Sequence, residues 1–124
     1  MKNLICSLVV LLSVVSFSYG QDVEYVVASK GKSALIESKT SGDYEFKFEM
    51  DRTKESVDKA ASFYTKHFTV DFNEETEVVK IKMVENTASS RAIVSRFLSY
   101  NEMRYVRVDN EKLTMSDFID LYLK

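Results

Sequence analysis

Tyr44, Phe46, Phe48 and Met50 alternate with Glu45, Lys47 and Glu49, and no other stretch restricts the fold of this chain as tightly. A strand turns successive side chains to opposite faces. The segment therefore predicts a strand with one apolar side on a core and one charged side in water. Phe68, Val70 and Phe72 repeat the pattern, as do Val79, Ile81 and Met83 around Lys80 and Lys82. Asn73-Glu74-Glu75-Thr76 between them reads as a turn, so the two runs predict a hairpin. The outward positions Glu45, Lys47, Glu49, Thr69, Asp71, Lys80 and Lys82 are all polar.

Helical spacing fills the intervals. Asp51 can cap a helix carrying Val57, Ala60, Ala61 and Tyr64 on one stripe. Asn86 or Thr87 can cap a second, with Ile93, Phe97 and Tyr100 on its buried face, Val94 and Leu98 beside them, and Asn101 at its end. Tyr105 to Val108 predicts a short β-branched strand. Thr114 caps a last helix, in which Met115, Phe118, Ile119 and Tyr122 form an apolar stripe.

The first six elements predict an α+β, ferredoxin-like βαββαβ sandwich over residues 44–124: a four-stranded antiparallel sheet with two helices on one face, plus an extra C-terminal helix. Phe46, Phe48, Val57, Tyr64, Val70, Ile81, Ile93 and Phe97 are the expected core. The C-terminal stripe has two candidate docks, a groove beside the last strand near Tyr105 and Val106, or a partner surface.

The residues ahead of this domain speak to compartment. Met1 to Gly20 has a basic Lys2, an apolar run from Leu4 to Val15, and small residues at Ser18 and Gly20, the pattern of a secretory signal peptide cut before Gln21. The apolar run is short for a bilayer span, so the expected product is exported, periplasmic or extracellular, with no membrane anchor after cleavage. That product has 104 residues and 16 basic against 19 acidic side chains. The only cysteine, Cys6, leaves with the leader, and with it any disulfide, thiolate ligand or cysteine nucleophile. Residues 21–43 alternate briefly at Val23, Tyr25 and Val27. They otherwise mix Ser, Lys and Gly around an Ala34-Leu35-Ile36 island, which predicts a flexible lead adding one edge strand.

Phe46 to about Val108 resembles the heavy-metal-associated domain, the small βαββαβ module of copper chaperones and metal pumps. That family carries Met-x-Cys-x-x-Cys between its first strand and first helix. The same register here reads Asp51-Arg52-Thr53-Lys54-Glu55-Ser56, with Thr53 and Ser56 at the two cysteine places. The resemblance implies the fold and a degenerate loop at Asp51, Thr53 and Ser56. Hydroxyls cannot replace the soft thiolates that hold Cu(I) or Zn(II), so no metal is expected there.

Other chemistry is sparse. His67 is the only imidazole, and no partner His accompanies it. The turns at Asp71, Asn73, Glu74 and Glu75 and at Asp109, Asn110 and Glu111 lack EF-hand spacing. Arg52 follows the first strand, but Asp51 beside it opposes a phosphate. No Gly-rich phosphate loop or Gly-x-Ser-x-Gly elbow occurs. A net charge of −2 and charged residues on the outward sheet face point away from nucleic acid. The expectation is a non-catalytic protein-interaction module without cofactor, whose partner is another protein or a second copy. The alternative is a small-ligand or metal-ion binder using carboxylates and His67.

Overall fold

The computed structural model describes residues 25–124, so the leader and the cleavage site lie outside the described residues. In chain order the elements are β1 (Tyr25–Ala28), α1 (Gly31–Ser41), β2 (Asp43–Phe48) and α2 (Lys54–Ala61), which tightens into a 3₁₀ turn (Ser62–Tyr64). There follow β3 (Phe68–Asn73), β4 (Val78–Met83), α3 (Ala88–Tyr100), β5 (Tyr105–Val108), β6 (Glu111–Thr114) and α4 (Met115–Phe118), which continues as a π-helical turn (Ile119–Leu123).

All six strands form one sheet in the order β3-β4-β2-β1-β5-β6. This corrects the ferredoxin-like expectation of a four-stranded antiparallel sheet. The sheet has six strands and is mixed, because β1 runs parallel to β5 and antiparallel to β2. The physical reason is β1 itself. Expected within a flexible lead as at most an edge strand, it lies in the sheet interior, with Val26 paired to Phe48 on one side and to Val106 on the other. It thereby separates β5 from β2, which a four-stranded sheet of this kind would hold as neighbours. A two-residue turn at Asp109 and Asn110 then adds β6 outside β5.

One face of the sheet carries the core. Val26, Phe46, Phe48, Val57, Ile81, Phe97 and Phe118 are all buried, and Tyr64, Val70 and Ile93 pack against them partly exposed. Rings interlock across the elements: Phe68 meets Phe97 edge-on at 5.9 Å, and Phe48 meets Phe72 at 5.7 Å. The C-terminal stripe closes this layer. Phe118 stands edge-on to Phe46 at 5.9 Å, Tyr122 and Leu123 are buried, and Met115 and Ile119 are partly buried against the same core. Helix α4 contacts β5 and β6, on the side of the sheet where an intramolecular dock was expected, and the π-helical turn runs on over the inner face between α1 and α3.

Helix α1 is held by its ends. Gly31 starts it at φ +79°, and an added Cβ there would lie 2.6 Å from Asp109 Oδ1. Asp109 Oδ2 accepts a hydrogen bond from the Lys32 amide at 3.4 Å, placing a carboxylate where the helix dipole favours one. At the other end Gly42 takes the left-handed C-cap position, and its amide donates to Ser38 O at 2.7 Å. The Asn86 side-chain amide donates to Lys39 O and Thr40 O. These ties run α1 from the β5–β6 turn to the β4–α3 loop, across the end of the sheet. Among the described residues no helix is long and apolar enough to cross a membrane.

Candidate interaction surface

Strand β3 is one edge of the sheet, and its geometry follows from alternation. The Val84 amide donates to His67 O, while Met83 and Phe48 bond along the β2–β4 seam, to Gly42 O and Glu77 O. With Thr69 opposite Lys82 and Asp71 opposite Lys80, Thr69, Asp71 and Asn73 turn their backbone groups toward β4. Phe68, Val70 and Phe72 therefore turn theirs out of the sheet. No described residue pairs with them.

Edge strands are commonly protected by shortness, by lysine, by proline or by a bulge. The opposite edge, β6, has only four residues, and Lys112 on it lies over the Tyr105 ring at 4.3 Å. Strand β3 has six residues in unbroken register, with neither lysine nor proline. Its inward rings, Phe68 and Phe72, are buried; Val70 between them is half-buried, and Thr69 and Asp71 are exposed. The edge is thus rigidly seated and open.

Beside it, a cleft of about 510 Å³ lies between α1, at the end of the sheet, and the outward residues of β2, β4 and β3. Glu37, Asp43, Glu45, Asp71, Lys80 and Lys82 line it, and Thr69 and Val70 carry it to the β3 edge. Lys80 lies between Glu45 and Asp71 in the cross-strand rows, and Lys82 between Asp43 and Thr69. Lys30 closes on Glu45 at 3.7 Å; neither Lys80 nor Lys82 forms an ion pair within 4.0 Å among the described residues. The cleft offers both signs of charge.

The residues singled out in the sequence lie elsewhere. Thr53 is the N-cap of α2, accepting from the Ser56 amide at 3.1 Å, and the Ser56 hydroxyl donates back to Thr53 O at 3.0 Å. Asp51 is exposed beside them. Arg52 is committed to the end of α3: its Nη2 donates to Asn101 O at 2.5 Å and its Nη1 pairs with Glu102 at 3.3 Å. His67 places Nδ1 2.9 Å from Ser90 Oγ, and that hydroxyl donates to Glu85 at 3.3 Å. Among the described residues no three His, Cys, Asp or Glu side chains come together as a metal site would require. Met115, Phe118, Ile119 and Tyr122 are packed into the chain's own core rather than exposed as a docking stripe.

Burial pushes the Tyr44 phenol up to about 12, with the Arg91 guanidinium pulling the other way, and its Oη finds no hydrogen-bond partner among the described residues. Tyr44 is buried in the core and is also among the residues that line the cleft. Sequence reasoning named neither edge as the docking element, although the hairpin that includes this strand was legible; β1 and β6 insert on the far side of β2 and leave β3 outermost, as the expected order of these strands does. The absence of lysine and proline from Phe68–Asn73 was also visible in advance. No family model matches the chain, and no curated protein or solved structure is significantly similar to it.

Proposed function

We propose that this chain is an exported, non-catalytic protein-interaction module that binds an extended segment of another polypeptide along β3. The observation that carries the reading is the open β3 edge, with the outward backbone groups of Phe68, Val70 and Phe72 on a strand fixed from behind by buried rings. Strand addition of this kind takes its affinity from backbone hydrogen bonds and its specificity from alternate side chains. An added strand would lay one set of side chains against Val70 and the other beside Thr69 and Asp71, at the mouth of a cleft with both charge signs. Export rests on the Met1 to Gly20 pattern.

A photo-crosslinking side chain in place of Thr69, compared with one in place of Lys112 on the opposite edge, tests this in the native envelope. The reading expects a crosslinked polypeptide from position 69 and not from 112. It also expects the product to vanish when Val70→Pro removes the central outward amide. Crosslinking from 112 alone, or product at 69 indifferent to Val70→Pro, would overturn it.

A further inference from the structure

The outward backbone pattern of β3 is its own complement, and we infer that the occupant of this edge is a second copy of the chain, joined β3 to β3 about a two-fold axis through Val70. The inference rests on the reading of β3 as the docking element and names its partner. Antiparallel pairing centred on Val70 sets it against Val70 of the second copy, and Phe68 against Phe72 of the second copy. All three residues direct both backbone groups outward, so each pair exchanges two hydrogen bonds and no outward group of the strand is left over.

Neighbouring registers are worse. Centring on Thr69 leaves Phe72 facing residues that precede β3. Centring on Asp71 sets it against Asp71 of the second copy, and like charges directly opposite destabilise a sheet.

Charge favours the same register. The outward row in one copy reads Glu45, Lys80, Asp71. Across the axis it continues as Thr69, Lys82 and Asp43 of the second copy. Acid and base alternate along the whole row, with Thr69 as a neutral spacer at the joint. Lys80 and Lys82, which form no ion pair among the described residues of each copy, are thereby drawn into a continuous alternating row. The half-exposed Val70 side chain is covered by its symmetry mate, and the two clefts meet across the axis. Short, lysine-bearing β6 forms the outer edge on each side, so the assembly closes at two copies rather than growing.

Sedimentation equilibrium of the purified chain over a wide concentration range is the test. A reversible monomer–dimer equilibrium is expected. Val70→Pro replaces an amide that points away from β4 and spares the β3–β4 bonds; Asp71→Arg puts a cation between Lys80 and Lys82 of the second copy. Each should weaken association by about tenfold or more with the far-ultraviolet circular dichroism unchanged, and Asp71→Arg decides if Val70→Pro does not fold. A dimer indifferent to Asp71→Arg would overturn the inference. So would a monomer at every concentration. In that case, a crosslink from position 69 that Val70→Pro abolishes would leave the docking role of β3 intact, and its absence would remove both.

Discussion

Replacing Phe118 by alanine should unfold this protein at a markedly lower temperature, at every protein concentration. Phe118 is 0% exposed. Its ring stands at 73° to Phe46 with centroids 5.9 Å apart, and lies 5.8 Å from Tyr122. Truncating a buried phenylalanine costs about 3–5 kcal/mol, from lost transfer energy and the cavity left behind. The edge-on contact with Phe46 supplies roughly 0.5–1.5 kcal/mol of that. The whole domain is worth about 5–15 kcal/mol, so the loss is a large share. At roughly 4–8 °C per kcal/mol for a domain of this size, the melting temperature should drop by at least about 12 °C. Thermal melts followed by circular dichroism at several concentrations measure it. A melting temperature within about 3 °C of the parent would refute the placement of α4 in the core. A drop seen only at high concentration would instead assign the stripe to an interface.

Three further outcomes follow from local geometry. Gly31→Ala should destabilise by about 1–2 kcal/mol from its left-handed backbone alone, and by more while Asp109 Oδ1 obstructs the new Cβ; denaturant midpoints in parent and Asp109→Ala backgrounds separate the two parts, and no loss in either would contradict the α1 start. Thr53→Ala should cost about 0.5–2 kcal/mol and Thr53→Ser much less, since the hydroxyl caps α2; equal losses in urea titrations would rule out the cap. Tyr44 ionises near 10 when unfolded and at about 12 when folded, so the unfolded state loses this proton first. Its contribution is complete below pH 10, and about 2–3 kcal/mol of it should disappear as pH rises to about 12. Tyr44→Phe should flatten that alkaline decline without loss of stability at pH 7, and an unchanged decline would refute the assignment.

What the sequence revealed, and what it hid, divides by the range of the interactions involved. Strands β2, β3 and β4 and helices α2 and α3 announce themselves because one apolar face per element is enough to specify them. Thr87 and Thr114 each accept the amide bond of a helix start as their sequences suggest, because the side-chain chemistry of a cap is local; the cap of α2 is Thr53, two residues after the expected Asp51. Helix α1 left no such trace. Only Leu35 and Ser38 on it are buried and Ile36 is 56% exposed, so it has no stripe. Asp109, Asn86 and Gly42 hold it, and two of these are distant in sequence. Strand β1 has four residues, too few for a period to show, and its place between β2 and β5 is set by two pairings that no local pattern encodes. Strand β6 buries one side chain, Leu113.

The central claim is that β3 docks a strand through Phe68, Val70 and Phe72. Residue-resolved amide hydrogen exchange on the dilute and the associated protein tests it most directly. In the dilute protein the account predicts slow exchange at Thr69 and Asp71, which bond β4, and fast exchange at Phe68, Val70 and Phe72. On association those three should slow together while Lys112 and Leu113 on β6 stay unchanged. Fast exchange at Phe68, Val70 and Phe72 in the associated protein would contradict the account, as would protection already complete in the dilute chain.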